Sequence, residues 1–188
     1  MKLRAFLAVE LSPACTTALQ GVQQKLRKTG TRLKLVRKEA IHITLKFLGD
    51  IDARDVGTLQ ERLAEKLNGR RSFPFEVLSL GAFPAPERAR VVFAAIGDGT
   101  ANFRGLHDAV EEVVVALGVK PETRRYTPHV TLARLKERDA DGAIGRVVHG
   151  LEGHKFSDEQ AERVTLFESR LMREGPVYSK LAEFDLEA

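Results

Sequence analysis

The chain contains a single cysteine, Cys15, so no internal disulfide can form and its sulfur chemistry does not point to an oxidising compartment. Long apolar runs are missing too: no stretch approaches the ~18 apolar residues that a membrane-crossing helix needs. The apolar opening, Leu3 to Val9, is cut off by Glu10 before it reaches the length of a secretory h-region. A buried strand and a cytoplasmic protein without membrane contact are the expectations. There is no Gly-x-x-x-x-Gly-Lys loop to cradle nucleotide phosphates and no Gly-x-Ser-x-Gly nucleophile elbow. Blocks of like charge are absent as well. Thirty Lys and Arg against 26 Asp and Glu leave a net charge of +4, spread along the chain. That balance suits an anionic substrate without resembling a nucleic-acid-coating tail.

What is present is ordinary globular composition, 43% hydrophobic and 30% charged over 188 residues, enough for one core or for two small lobes sharing one. After the opening strand, Ser12 and Pro13 form an N-cap followed by proline at the first helical position. Cys15, Leu19, Val22 and Leu26 then recur at helical spacing, which makes Cys15 a core residue rather than a nucleophile. Leu33 to Val36 reads as a short strand, and Ile41 to Leu48 as another that ends at Gly49-Asp50. Helices follow from about Ala53 to Leu67, stopped by Asn68-Gly69, and over Phe103 to Leu117, with a shorter one around Ile144, Val147 and Val148. Strands are expected at Phe73 to Leu80, Arg90 to Ile96 and Tyr126 to Arg134, with a closing hairpin, Val164 to Leu171 and Val177 to Phe184, around Gly175-Pro176. The predicted class is α+β: two pseudo-symmetric α/β lobes, with antiparallel or mixed sheets, facing a central cleft. Residues 1–188 are expected to form a single bilobal domain.

The chain has five histidines, and two of them open the same tetrapeptide frame, His42-Ile43-Thr44-Leu45 and His129-Val130-Thr131-Leu132, about half a chain apart. From the chain's own residue frequencies, such a coincidence arises on the order of once in a few thousand chains, which weakens the usual warning about short motifs. In a strand, residues two apart share a face. Strict alternation puts His42, Thr44 and Lys46 on one face, with Ile41, Ile43, Leu45 and Phe47 on the other, and it pairs His129 with Thr131 in the second copy. With one motif per lobe, two imidazoles and two hydroxyls converge on the cleft. A free imidazole titrates near ~6.5, so one ring can act as general acid while the other acts as general base. The hydroxyls can hold a phosphate between them. A metal site is the competing reading. Catalytic zinc takes about three protein ligands, often including a carboxylate, and neither motif has Asp or Glu two residues away. No metal and no cofactor are therefore expected.

The motifs are embedded in longer segments: Arg4-Ala5-Phe6-Leu7-Ala8-Val9-Glu10-Leu11, Ile41-His42-Ile43-Thr44-Leu45-Lys46-Phe47-Leu48-Gly49, Tyr126-Thr127-Pro128-His129-Val130-Thr131-Leu132-Ala133-Arg134, and late in the chain Glu168-Ser169-Arg170-Leu171 and Gly175-Pro176-Val177-Tyr178. In these segments the chain resembles the 2H phosphoesterase superfamily, specifically the RNA 2′,3′-cyclic phosphodiesterases, also called LigT-type or 2′-5′ RNA ligase-like proteins. The resemblance implies a bilobal α+β fold and metal-independent opening of a ribose 2′,3′-cyclic phosphate to a 2′-phosphomonoester. It implies His42 as proton donor, His129 as proton acceptor, and Thr44, Thr131 and Arg134 as substrate-binding groups. The implied partners are RNA ends or nucleotides bearing a 2′,3′-cyclic phosphate, and a monomer carries both motifs. Ligation through a 2′-5′ bond in the same site, or binding of RNA ends without catalysis, are the alternatives. Alternation aims Arg134 away from the His129 face unless a bulge intervenes. It favours the core for Phe47, with base stacking as the alternative, and Tyr126 reads as a structural phenol, with a pocket wall as the alternative. Where family members often carry an aromatic residue before the first motif, this chain has Leu35.

Overall fold

The apolar opening becomes β1 (Lys2–Glu10), in which Ala5 to Val9 are all buried. Both of its edges are paired, because β1 lies inside a wide sheet. The computed structural model describes residues 1–173 and 175–188. The further strands are β2 (Leu33–Leu35), β3 (His42–Asp52), β4 (Phe73–Phe83), β5 (Val91–Ile96), β6 (His129–Leu135), β7 (Lys155–Ala161), β8 (Arg163–Met172) and β9 (Gly175–Asp185). The helices are α1 (Pro13–Arg27), α2 (Val56–Leu67), α3 (Thr100–Ala116) and α4 (Ala143–Gly150). The strands run β7-β4-β5-β6-β3-β1-β8-β9 with antiparallel neighbours throughout, and β2 pairs with the end of β6.

The sheet divides at its centre, where β3 and β6 meet at one residue pair, Ile43 and Val130. On one side, α2 and α3 pack together and against β9 and β3. On the other, α1 and α4 pack against β6, β7 and β4. Each half thus holds one His-x-Thr strand and two helices, the two-lobed α+β arrangement expected, and the halves are welded into one sheet.

Local chemistry accounts for the elements. The Ser12 hydroxyl accepts from the Cys15 amide at 3.1 Å, while Glu159 of β7 accepts from both the amide and the hydroxyl of Ser12 at 2.8 Å. α1 has no acid in its own first turn, so this distant carboxylate complements its dipole. Cys15, Leu19, Val22 and Leu26 are buried, and fully burying a leucine contributes about 1.5–3 kcal/mol. Cys15 is a core thiol, with burial pushing its pKa up to about 12. In α3, Phe103, Leu106, Val110 and Val114 are buried, but Leu117 lies beyond the helix end and is exposed.

Several expectations need correction, and one strand is unexpected. β3 does not stop at Gly49-Asp50. It continues to Asp52, with Gly49 in the left-handed region beside a register shift against β1. β4 extends to Phe83. β7 has no counterpart in the sequence reading: it is an edge strand of mostly polar residues, Lys-Phe-Ser-Asp-Glu-Gln-Ala, in which only Ala161 is buried, so it shows no apolar alternation. Gly175 and Pro176, expected at the turn of the last hairpin, already pair within it, with Met172 and Leu171.

Candidate active site

The register at Ile43 and Val130 sets the geometry of the two motifs. In an antiparallel pair it places His42 opposite Thr131 and Thr44 opposite His129. The two imidazoles therefore occupy one diagonal of a square and the two hydroxyls the other. Directly opposite Cβ atoms lie roughly 4.5–5.5 Å apart and diagonal neighbours roughly 7–8 Å apart, a span that admits a phosphate between the rings. Ile43 and Val130 between them are fully buried, so all four polar side chains face away from the core.

Two bulges complete the site. Along β3, Ala8 pairs with Thr44 and Leu7 with Lys46, so Leu45 is the extra residue. Parity reverses there. Lys46, expected beside His42 and Thr44, turns into the core side at 6% exposure, and Phe47, expected in the core, stands 64% exposed on the motif face. Along β6, Phe93 pairs with Thr131 and Val92 with Ala133, so Leu132 is the extra residue. The same reversal brings Arg134 onto the motif face, as its expected role requires. Phe47 and Arg134 thus hold equivalent positions in the two motifs, each three residues beyond its threonine.

Together with Tyr178, the residues His42, Thr44, Phe47, Thr131 and Arg134 line a cavity of about 300 Å³, and the segment Lys34–Arg37 forms a further wall. His129 lies on the same face, flanking the residues that line the cavity. Arg37 donates to the Pro176 carbonyl and so joins that wall to the start of β9. Leu35 lines the cavity without offering an aromatic face.

The two histidines sit in different surroundings. The His42 ring stacks on Phe6 at 5.0 Å, with Phe167 at 6.3 Å and the edge of Tyr178 at 5.7 Å. Burial in this aromatic box lowers its pKa to about 4, although Glu10, its cross-strand partner, and a backbone hydrogen bond to Ala40 act in the opposite direction. Its Nε2 lies 3.0 Å from the Thr44 hydroxyl. His129 is edge-on to Phe83 and Phe93, at 5.2 and 5.3 Å. Its Nδ1 lies 2.7 Å from the Thr127 carbonyl, which can only accept, so the proton sits on Nδ1 and Nε2 has a free lone pair. Burial also lowers its pKa, the Thr127 carbonyl raises it, and the charge of Arg134 lowers it.

A buried cluster unread in the sequence ties the segment before His129 to the first motif. The Tyr126 hydroxyl donates to the Thr44 carbonyl at 2.9 Å, and its ring stacks on His107 at 4.3 Å. Tyr126 is thus the structural phenol expected, with burial raising its pKa. Lys46 Nζ lies 2.7 Å from Glu111 Oε2, an ionic contact lacking hydrogen-bond angles, and donates to the Lys120 carbonyl at 3.1 Å. The other Glu111 oxygen accepts from the Glu122 amide at 2.6 Å. Nothing in the local pattern of α3 or the Lys120–Tyr126 segment signals these partners. The only trace is a lysine between Leu45 and Phe47 in the strand.

Among the described residues, no three His, Cys, Asp or Glu side chains converge as a metal site would require, and no helix is long and apolar enough to cross a membrane.

The LigT like Phosphoesterase family matches residues 9–93 and 97–178. An Aeropyrum pernix protein named RNA 2′,3′-cyclic phosphodiesterase is 34% identical over 165 residues, covering 88% of this chain and 93% of its own. The crystal structure of TT0787 from Thermus thermophilus superposes with a TM-score of 0.82 at 26% identity, covering 98% of each chain. Escherichia coli LigT complexed with 3′-AMP superposes at 0.78, with 20% identity and 98% of each chain, a likeness of fold. By its motifs, its architecture and the reach of these matches, the chain belongs to the LigT-like family of 2H phosphoesterases.

Proposed function

We propose that the protein is an RNA 2′,3′-cyclic phosphodiesterase that opens the cyclic phosphate to a 2′-phosphomonoester by paired-histidine acid–base catalysis without a metal. The observation that carries this reading is the diagonal placement of two imidazoles and two hydroxyls across the Ile43–Val130 junction. The name of the A. pernix relative supports the substrate class, and the 3′-AMP held by E. coli LigT supports a nucleotide ligand.

In this mechanism the Thr44 and Thr131 hydroxyls donate to the two non-bridging oxygens of the cyclic phosphate, and the Arg134 guanidinium balances its charge. His129 Nε2 takes a proton from a water molecule as its oxygen attacks phosphorus. The bond from phosphorus to O3′ breaks in line, and His42 delivers a proton from Nε2 to the departing O3′. Water is consumed, and the products are a 2′-phosphomonoester and a free 3′-hydroxyl. His42 is mostly neutral in the empty site, and the bound phosphodiester anion supplies the charge that favours its protonated form. In Thr44's hydrogen bond, His42 Nε2 exchanges an intramolecular partner for the substrate. Phe47, exposed at the cavity wall, offers a flat face for a base.

One chain supplies both motifs, so the proposal extends to an active monomer, a single bilobal domain with one motif per lobe, working in the cytoplasm. The test is incubation with an oligoribonucleotide ending in a 2′,3′-cyclic phosphate in excess EDTA, with the product regiochemistry mapped. Undiminished conversion to the 2′-phosphate is expected. Loss of turnover on chelation, restored by a divalent metal, would replace this mechanism with a metal-dependent one.

A further inference from the structure

We propose, on the basis of the activity above, that the preferred substrate is an RNA strand rather than a cyclic mononucleotide. The phosphodiester on the 5′ side of the terminal nucleoside would be held at the outer rung, Arg32 and Lys136, of a cationic ladder whose inner rung, Lys34 and Arg134, lines the cavity.

The ladder follows from the Leu132 bulge. Once parity reverses there, Arg134 and Lys136 both point away from the core, and Leu135 between them packs on it. The neighbouring strand matches: Leu33 and Leu35 pack on the core, and Arg32 and Lys34 are exposed. Lys34 pairs directly with Arg134, and the Lys136 amide donates to the Arg32 carbonyl at 2.9 Å, so Arg32 and Lys136 form the next rung. Two successive cross-strand pairs of like charge are destabilising in the empty protein. Only Arg32 is relieved, by Glu137 at 2.6 Å; Lys34, Arg134 and Lys136 make no ion pair among the described residues. Such an arrangement is relieved by an anion.

The first rung lines the cavity and the second lies outside it. Residues two apart on a strand are separated by about 6.7 Å, comparable to the separation of a terminal cyclic phosphate from the phosphodiester on the 5′ side of the same nucleoside. A nucleoside 2′,3′-cyclic phosphate has no group to meet the second rung, whereas an oligonucleotide has one. The competing role for these side chains is protection of β2, a short strand at a sheet margin, against pairing with other chains. That role predicts no dependence on substrate length.

The test compares kcat/KM for cytidine 2′,3′-cyclic phosphate and for a tetranucleotide ending in the same group, using the wild type and Lys136→Glu. The wild type is expected to favour the tetranucleotide by about tenfold or more at low salt, the advantage falling with a log–log slope of about −0.7 for each phosphate neutralised. Lys136→Glu should remove most of that advantage and leave the mononucleotide within about twofold. No length preference in the wild type, or equal losses on both substrates in the variant, would overturn the ladder. Anisotropy of a 5′-fluorescein tetranucleotide ending in a 2′-phosphate reads it without turnover. Weaker binding to the variant would support the ladder even if neither cyclic phosphate were hydrolysed, an outcome that would defeat the catalytic reading alone. Equal binding would overturn it.

Discussion

Alanine at His42 or at His129 is expected to lower hydrolysis of a 2′,3′-cyclic-phosphate-ended oligonucleotide by about 10²–10⁴-fold in each single variant, the usual contribution of a positioned acid or base. In the proposed mechanism the two rings serve one proton-transfer sequence. The double variant should therefore fall little below the weaker single one instead of showing the product of both losses. Far-UV circular dichroism separates this from misfolding. His129 is held by one carbonyl and two ring edges, so its removal leaves the sheet intact. His42 fills space over Phe6, and His42→Gln, which keeps most of that volume, is the control for lost packing. A loss under about fivefold in either folded variant would remove that ring from the chemistry.

Lys46→Met is expected to destabilise the protein by about 3 kcal/mol, the lower end of the range for breaking a buried ion pair, because Glu111 keeps 19% exposure. The loss arises mainly from a carboxylate left without its cation. Urea denaturation of Lys46→Met beside Lys46→Met/Glu111→Leu checks this: the double variant, with no stranded charge, should recover most of the stability. Activity should not recover with it. Both Lys120 and Glu122 lose their anchors, and the segment leading to Thr127 and His129 loosens. A small displacement of a catalytic group is costly, so kcat/KM should stay lowered by on the order of ten- to a hundredfold in both variants. Full activity in the double variant would show that the cluster serves stability alone.

The contrast between these residues shows what could be read in advance. His42, Thr44, His129 and Thr131 were legible because their message is local: a strand period of two and buried neighbours at Ile43 and Val130 fix which way they face. The Cys15 helix and the opening strand were legible for the same reason. Lys46 and Phe47 were misassigned because a single extra residue at Leu45, visible only in the pairing with β1, reverses every side chain beyond it. Arg134 reaches the site through the matching reversal at Leu132. The ties from Tyr126 to Thr44 and from Lys46 to Glu111 join segments far apart in the chain, and β7 is a strand because β4 offers it an edge rather than because of its own pattern.

The pairing of the two histidines is tested most directly by the pH dependence of kcat/KM and kcat for the wild type and both alanine variants. The kcat/KM profile reports the free enzyme, in which burial depresses both imidazoles, His42 to about 4. The donor must be charged, so its limb of kcat/KM falls as pH rises; the acceptor must be neutral, so its limb rises with pH. The bound phosphodiester anion favours the charged imidazoles, so the kcat profile should be displaced to higher pH than that of kcat/KM. With His42 as donor and His129 as acceptor, His42→Ala should lose the high-pH decline and His129→Ala the low-pH rise. A full bell retained in either variant, or kcat and kcat/KM profiles that coincide, would contradict a concerted pair of histidines acting on one phosphate.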